Sequence, residues 1–258
     1  MKKSKAIHWF RQDLRLSDNP ALYDGAKNNS ILPIYILDDK NSKDLSMGAA
    51  SRFWLHHSLA SLDKSLNENL SIYQGDPLEI LLDIINRLNI EEIYWNRCYE
   101  PWRIKRDTLI KKELESNGIK VTTLNGSLLW EPWTIKKGDG TPYKVFTPFF
   151  RKGCLLSDEP RKPLPTPNNL DFLHDNDKSL EINDLALLPS IRWDIEMKPF
   201  WNIGEDGANK RLSEFLGNGI ANYKKGRNFP AKPFVSRISC LLYTSDAADE
   251  GLGVDLGG

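Results

Sequence analysis

Charged side chains follow directly after the first predicted strand. Residues 6–10 have the apolar and aromatic character of a buried strand, and Arg11, Asp13 and Arg15 come next. Asn19-Pro20 then starts a helix, with an N-cap residue followed by proline at the first helical position. Ligands of open α/β sheets bind beyond the carboxyl ends of the strands, so these groups could hold a polar ligand through ion pairs and hydrogen bonds. The alternative is an Arg–Asp network that only fixes the loop.

The first half of the chain alternates strand and helix patterns. Leucines recur on one face of a helix from Leu55 to Leu66, and a second apolar helix face follows Asp76-Pro77. Helices of this length between strands favour parallel pairing. The sequence therefore predicts an α/β fold, a Rossmann-like five-stranded parallel sheet with helices on both faces. The predicted strands are residues 6–10, 31–37, 70–74, 91–95 and 119–124.

Several functional classes are disfavoured. The chain has no Gly-x-Gly-x-x-Gly after the first strand and no Walker-type phosphate loop, which argues against a nicotinamide dehydrogenase or an ATPase. Its four histidines and three cysteines have no spacing typical of a metal site or a nucleophile, so we expect no metal and assign no catalytic residue. The apolar run 31–37 is too short for a bilayer, and no signal-type segment follows the basic N-terminus. We expect an intracellular protein without a membrane partner.

The second half has a different character. A polar loop with a Gly138-Asp139-Gly140 turn precedes Thr147-Pro148, which predicts another helix start, and we expect Tyr143, Phe146 and Phe149 to pack this loop onto the sheet. A proline-rich stretch follows, which we expect to lie across a neighbouring surface. Glu205 and Asp206 then suit the first turn of a helix. We predict an α/β domain at 1–157, a linker at 158–200 and the start of an all-helical domain at 201–239.

Residues 240–258 do not resemble protein sequence. They read as the in-frame translation of a sequencing-library adapter, and we interpret them as a non-native tail. The whole chain has equal numbers of basic and acidic residues, but this tail holds Asp246, Asp249, Glu250 and Asp255 without any Lys or Arg. The remaining chain is mildly basic, which is compatible with a nucleic-acid partner.

Three segments together resemble the DNA photolyase and cryptochrome family. Trp9 to Leu22, with Phe10-Arg11-Gln12-Asp13-Leu14-Arg15-Leu16, is similar to the family's opening motif. Gly140 to Phe149 is similar to its run into the inter-domain linker. The third segment runs from Trp201-Asn202-Ile203-Gly204-Glu205 through Tyr223 to Ser239. The resemblance covers residues 5 to 239 and implies that the chain corresponds to the N-terminal half of such a protein.

The resemblance implies an antenna site at the carboxyl edge of the sheet. Asp38, Arg52, Asn96 and Glu100 lie in segments that face the light-harvesting chromophore in the family, which is methenyltetrahydrofolate, a deazaflavin or FMN. Carboxylates and amides can match the edge of a heteroaromatic ring by hydrogen bonds. Helix capping by Glu100 and a structural salt bridge for Arg52 are the alternatives.

The resemblance also implies part of a site for flavin adenine dinucleotide (FAD). In the family, a tyrosine and a Thr-Ser-Arg-Leu-Ser-like segment bind the cofactor, largely through its phosphates. The matching residues here are Tyr223, Val235, Ser236, Arg237, Ile238 and Ser239. Val235 replaces a common threonine, which puts one side-chain hydrogen bond in doubt. Hydroxyls, backbone N–H groups and an arginine are suited to a diphosphate.

The resemblance implies that the parent protein is a light-driven DNA repair flavoprotein, similar to a deoxyribodipyrimidine photo-lyase, which opens pyrimidine dimers in DNA by electron transfer from reduced FAD. We expect it to be monomeric. The family's flavin pocket and DNA groove lie mostly beyond the segments matched here, so we expect the chain alone to be inactive. A cryptochrome-type blue-light photoreceptor is the main alternative. A stand-alone nucleotide-binding α/β domain is a third, against which the connector and the helical start argue.

Overall fold

A five-stranded parallel sheet forms the core of the chain. A computed structural model describes residues 3–42, 45–229 and 231–238. The strand order is β3-β2-β1-β4-β5, and every neighbouring pair is parallel, as expected. The order reverses between β1 and β4, so the crevice at the carboxyl ends of these two strands is the switch point of the sheet. The strands are β1 Ser4–Phe10, β2 Asn29–Leu37, β3 Ser71–Gln74, β4 Glu92–Asn96 and β5 Lys120–Leu124.

Alternating side chains of each strand enter two separate apolar cores. Ala6 and Phe10 of β1 join the core beneath helices α1 (Pro20–Gly25) and α2 (Ala49–Ser65). Ile7 and Trp9 face the opposite side, where α3 (Pro77–Leu88) and α4 (Pro101–Ser116) pack. Because both faces of β1 are buried, its continuous apolar run is that of a central parallel strand. The predicted placement of helices on both faces is confirmed.

The helix boundaries follow from the predicted caps. Asn19 accepts a hydrogen bond from the N–H of Leu22, and Asp76 accepts from the N–H groups of Leu78 and Glu79. Proline occupies the first helical turn after each of these caps, where its missing N–H leaves no bond unmade. Both N-cap residues are therefore confirmed in the roles that the sequence predicts.

The proline-rich connector lies along the edge of the sheet. The N–H of Ile31 donates to Asp171, and the N–H of Leu173 donates to Ile31, which makes a parallel bridge beside β2. Farther on, the N–H of Leu180 donates to Ile72 of β3, in an antiparallel bridge. These bonds satisfy backbone groups that the edge strand would otherwise expose. Buried Leu185 and Leu187 then complete the core beneath α1 and α2.

The aromatic residues near Thr147 contradict one expectation. Phe146 is 72% exposed and Phe149 is also exposed, so neither packs the loop onto the sheet. Instead, Tyr143 contacts Phe149 at a centroid distance of 6.2 Å, and Phe146 stacks on Phe150. The residues are apolar, as the sequence suggests, but the helical turns from Phe146 to Leu156 place them on the outer surface.

The remaining helices are short, apart from one that packs on α2. This helix is α7 (Glu205–Glu214), and it starts at the acidic turn that the sequence predicts. Its Ala208, together with Trp201 before the helix, packs on Phe53 and Trp54 of α2. Among the described residues, every helix is too short or too polar to cross a bilayer. The other helical segments are α5 Phe146–Pro148, α6 Asp194–Met197, α8 Tyr223–Gly226, the π-helices Phe149–Gly153 and Phe215–Gly219, and the 3-10 helices Cys154–Leu156, Ile182–Leu185, Lys198–Phe200 and Ile220–Asn222.

Candidate functional site

A polar network of the protein's own side chains fills the crevice between β1 and β4. The amide Nδ2 of Asn96 donates to Asp13 and, at 2.7 Å, to Asn19, while its Oδ1 accepts from the N–H of Ala21. Asn19 also donates to Asp13, and all three side chains are buried. The structure thus supports a structural role for Asn96, because its amide already binds the β1–α1 loop.

Arg15 also binds the β1–α1 loop. Its guanidinium donates to the backbone carbonyls of Ser17, Asp18 and Gly126, so it joins the β1–α1 loop to the loop after β5. All three acceptors are neutral peptide groups. For Arg15, therefore, the network that fixes the loop is the interpretation that the structure supports.

Arg11 takes part in an alternating stack of tryptophans and arginines. Its guanidinium forms an ion pair with Asp107 and lies 5.0 Å from the ring centroid of Trp9. The guanidinium of Arg106 lies 5.2 Å from the ring centroid of the same Trp9 and 5.1 Å from that of Trp102. Cations over indole faces are attracted by the ring quadrupole, and more so when desolvated. The charged groups of this edge are therefore held by aromatic rings and carboxylates of the protein itself.

Three of the four predicted antenna residues lie at this edge and already have partners. Asp38 accepts hydrogen bonds from Arg106 at 2.9 Å and from Asn41. Arg52 pairs with Asp39 at 2.7 Å, which is the structural salt bridge of the alternative interpretation. Asn96 is in the separate crevice network described above.

Glu100 is the fourth predicted antenna residue, and the structure does not support the helix-capping alternative for it. It occupies the N-cap position of α4, but its side chain makes no capping hydrogen bond. It accepts a bond from Gln12 at 2.6 Å and pairs with Arg103 at 3.3 Å, while its Oε2 is buried without a partner among the described residues. Glu100 therefore retains one acceptor that a ligand could use.

Glu205 links α7 to the loop after β1. Its carboxylate accepts hydrogen bonds from the backbone N–H of Leu16 at 2.7 Å and of Ser17 at 3.0 Å, and also from the Ser17 hydroxyl. The sequence indicated only a residue suited to a helix N-terminus. This contact could not be read from the sequence, because the partners are backbone groups 188 and 189 positions earlier.

The predicted flavin segment lies beside a basic cleft. Ser236 accepts a bond from Arg211 Nε on its carbonyl, and Ser236 Oγ accepts from the N–H of Ile238. Arg237 has a φ of 55° and, with Lys210 and Arg211, lines a cleft of about 210 Å³. Glu214 is the one acidic residue of the lining and pairs with Arg211. The cleft has a net positive charge, which fits an anionic ligand group.

The other described residues of the predicted flavin segment do not line the basic cleft. Tyr223 is 42% exposed and contacts Phe215 edge-to-face at 6.0 Å. Val235 is half-buried and does not line the cleft. Ser239 lies outside the described residues, as does the whole predicted tail at 240–258. Lys210 and Arg211 were missed in the sequence, although two adjacent basic residues within the segment from Trp201 to Ser239 are a usable signal.

Burial is the main cause that lowers the pKa of His8, His56 and His57. His8 is fully buried in β1, and burial, together with Arg11, lowers its pKa to about 4 although Asp13 opposes this. His56 and His57 lie side by side on α2, against the cations Arg192 and Lys198. Within the described residues, no group of His, Cys, Asp and Glu side chains could hold a metal ion.

Comparison with known proteins identifies the family. The family model described as DNA photolyase matches residues 6–168, which is more than half of the chain. This chain belongs to the DNA photolyase family. It is 37% identical over 244 residues to a deoxyribodipyrimidine photo-lyase of Agrobacterium fabrum, covering 93% of this chain and 50% of that protein. It is 32% identical to cryptochrome-2 of Arabidopsis thaliana, covering 92% of this chain and 40% of that protein.

The fold agrees with that family. A crystal structure of a bacterial class III photolyase from Agrobacterium tumefaciens matches with a TM-score of 0.87 and 36% identity, over 95% of this chain and 51% of that chain. The chain therefore spans about half the length of these photolyase relatives. The predicted N-terminal α/β domain of the DNA photolyase family is confirmed, whereas the exact boundaries at 157 and 200 stay predictions.

Proposed function

We propose that the chain is the N-terminal half of a light-driven DNA repair flavoprotein that opens pyrimidine dimers, a carbon–carbon lyase. The supporting observation is the 37% identity to a protein named deoxyribodipyrimidine photo-lyase over 93% of the chain. This match extends beyond the sheet into the basic cleft and the flavin-like segment. A reduced flavin, when bound, supplies the electron that opens the dimer and takes it back after the ring has split.

For this chain we assign binding and positioning roles. Arg237, with Lys210 and Arg211 across the cleft, would neutralise the diphosphate of FAD. Arg211 would also hold the backbone of Ser236 in place, because its Nε donates to the Ser236 carbonyl. Tyr223 presents a half-exposed ring beside this region. We assign no residue of this chain to the electron-transfer step, and the inactivity of the chain alone stays a prediction.

An antenna chromophore at the carboxyl edge stays a prediction of the resemblance. Asp38 and Arg52 would have to exchange protein ion pairs for contacts with methenyltetrahydrofolate, a deazaflavin or FMN. Asn96 is buried and fully engaged, so it does not fit a direct contact. Glu100 is the residue of the four that retains a buried acceptor without a partner among the described residues.

A cryptochrome-type photoreceptor is the second candidate. The 32% identity to cryptochrome-2 over 92% of the chain supports it, because the match covers the same segments as the match to the photo-lyase. The two functions share the light-absorbing flavin and differ in whether a DNA dimer reacts. Repair chemistry therefore distinguishes them.

The experiment uses the parent protein, expressed from a reading frame that continues beyond Ser239. Oligothymidylate carrying ultraviolet-induced dimers is incubated with the reduced protein under blue light, and the dimers are counted by chromatography, with a dark control. We expect loss of dimers in the light only. Bound flavin without repair would instead support the photoreceptor.

A matched pair of variants connects this assay with the cleft. Arg237→Ala removes a cation from the cleft, whereas Lys232→Ala removes an exposed cation that lies over Phe229 outside it. We expect a lower flavin content in Arg237→Ala and an unchanged flavin content in Lys232→Ala. An equal flavin content in both variants would remove Arg237 from the proposed site.

A further inference from the structure

We propose that the contact between helix α2 and residues 192–203 is an acid-sensitive switch, which opens when the adjacent His56 and His57 take up protons. The segment 192–203 leads from the connector into α7. Three features of the contact point to this switch: the position of the two rings, ring nitrogens without partners, and an excess of cations. Opening needs neither flavin, light nor DNA, so the switch goes beyond the proposed function.

The two histidines lie inside the contact between α2 and the segment 192–203. Phe53, which is fully buried, contacts the ring of His57 edge-to-face at a centroid distance of 4.8 Å and that of Trp193 at 6.0 Å. The ring of His56 lies 5.0 Å from that of His57 and nearly perpendicular to it. Both histidines are partly buried. A change in either ring therefore acts directly on the packing that holds the segment.

Neither ring has surroundings that suit a second proton. His56 Nδ1 and His57 Nε2 are buried and have no hydrogen-bond partner among the described residues. A neutral imidazole has a donor at one nitrogen and an acceptor at the other, whereas an imidazolium has a donor at both. Protonation therefore places a charged donor where the described residues offer no acceptor. This costs free energy for as long as the contact stays closed.

Cations outnumber carboxylates around the two rings. The charged groups that act on them are Arg192, Asp194 and Lys198, all in the segment 192–203. Asp194 is buried, and its two oxygens accept hydrogen bonds from Arg192 at 2.8 Å each, so its charge is already balanced. The charge of Lys198 remains as the excess. Two imidazolium rings would add two more positive charges to this site, and all of these charges repel one another.

The same surroundings give the switch its direction. Burial is the largest cause that lowers the pKa of both histidines, and His56 and Lys198 add to it for His57, whose pKa falls from 6.5 to about 4. In the open form water reaches the rings, and the pKa returns toward its ordinary value. Because the open form binds protons more readily, the closed form is favoured above about pH 6.5 and is lost as the pH falls toward 4.

Opening of the contact changes the basic cleft and spares the sheet. Trp201 and Asn202 of the segment line the cleft together with Lys210 and Arg211 of α7. Trp201 also packs on Trp54 of α2, with a ring centroid distance of 5.3 Å. The two apolar cores of the sheet contain no residue of the segment 192–203. We therefore expect acid to release α7 from α2 while the sheet stays folded.

The test is hydrogen exchange of the 258-residue chain, measured by mass spectrometry at about pH 7 and about pH 5 and corrected for intrinsic exchange rates. The protection of α7 should be about tenfold lower at the lower pH, which corresponds to a shift of one pKa unit. In the double variant His56→Gln/His57→Gln, which cannot take up these protons, α7 should be equally protected at both pH values. His57→Lys, which keeps a charge at both, should leave α7 weakly protected throughout.

Two controls separate this response from a general loss of stability. His174→Gln removes a histidine of the connector and should leave the response of α7 to pH unchanged. Strand β1 is the internal reference, because its exchange depends on His8 and should change with pH equally in all these proteins. An NMR titration of the wild type needs no variant: the rings of His56 and His57 should titrate below pH 6.5 in the folded chain.

Two results would overturn the switch. One is an equal loss of α7 protection in the wild type and in the double variant, and the other is titration of both rings at or above pH 6.5 in the folded chain. If the double variant leaves α7 unprotected already at neutral pH, the NMR titration decides. Failure of the switch leaves the proposed function intact, because dimer repair is measured separately with the parent protein. Failure of light-driven repair leaves the switch intact, because exchange is measured in the dark without flavin.

Discussion

Ser17 donates two hydrogen bonds to the carboxylate of Glu205, one from its backbone N–H and one from its hydroxyl. Glu205 begins α7, and Ser17 lies in the loop that leaves the central strand. This contact joins the helical start to the sheet edge, and the packing of Trp201 on Trp54 supports it with a ring centroid distance of 5.3 Å. The loop after β1 is thus fixed both from within the sheet and from α7.

We predict that Glu205→Gln lowers the free energy of unfolding by about 1–3 kcal/mol, because an amide places a donor against donors and gives up a charge-assisted bond. Hydrogen exchange at the N–H groups of Leu16 and Ser17 should become faster. The matched control is Asp206→Asn, which removes the same charge from the same helical turn at an exposed position. Equal exchange in both variants would contradict the role of Glu205.

The connector should make the protein sensitive to acid. Asp175 is buried and accepts two hydrogen bonds from Arg87, at 2.8 and 2.6 Å, and one from Tyr73. The bonds from Arg87 are the main cause that lowers the pKa of Asp175 to about 2. Because the folded-state pKa is below the unfolded value, the stabilisation is present above about pH 4 and is lost as the pH falls toward 2.

We therefore predict that Asp175→Asn lowers the free energy of unfolding at pH 7 by about 2 kcal/mol, and that this difference narrows below pH 4. Urea unfolding at several pH values measures it. Asp83→Asn is the control: Asp83 pairs with the same Arg87, but its side chain is 41% exposed, so a loss below about 1 kcal/mol is expected. If the free energy of unfolding of Asp175→Asn differed from that of the wild type by the same amount from pH 7 to pH 3, the ion pair would not be the cause of the difference.

The fold was predictable to the level of strands, faces and two helix caps. A short apolar run such as 31–37, rich in isoleucine, is typical of a strand buried on both faces. The Asn19-Pro20 and Asp76-Pro77 pairs start helices through local hydrogen bonds, which do not depend on distant contacts. The exposure of Phe146 was not predictable, because apolar character alone does not say which side of a helical turn meets the core. Distant contacts, such as those of Glu205, have no sequence signal at all.

The site was predictable in position but less so in chemistry. The polar residues Arg11, Asp13 and Asn96 do meet at the carboxyl edge, as parallel strands require. What the sequence could not decide is whether their polar groups face a ligand or one another. That outcome depends on the approach of neighbouring loops and of α4, whose Arg106 pairs with Asp38.

Asn96 provides a direct test of the structural interpretation. Asn96→Asp keeps the size of the side chain but places a carboxylate beside the buried carboxylate of Asp13. We predict a loss of at least about 2 kcal/mol in the free energy of unfolding at pH 7, because two buried donors disappear and like charges meet. Urea unfolding with an unchanged m-value measures it. A loss below about 0.5 kcal/mol would mean that this network does not hold the crevice closed.

His8 should govern stability in a higher pH range than Asp175. His8 is fully buried in β1, the strand between β2 and β4. Both ring nitrogens lack a hydrogen-bond partner among the described residues, and burial lowers the pKa of His8 to about 4. The unfolded chain binds a proton at this histidine near pH 6.5, whereas the folded chain stays neutral there. The free energy of unfolding should therefore fall as the pH decreases from about 6.5 to about 4. Above about pH 6.5, His8 should not contribute to the pH dependence of the free energy of unfolding.

We predict that His8→Val, which places a β-branched apolar residue in a central strand, removes this pH dependence. Relative to the wild type, the variant should gain about 3 kcal/mol between pH 7 and pH 4, which is the free energy of a shift of about 2.5 pKa units. Urea unfolding at fixed pH intervals measures the difference. His174→Val is the control, since His174 lies in the connector and not in the sheet. If the two variants showed the same pH dependence, the buried ring of His8 would not be the proton-linked group.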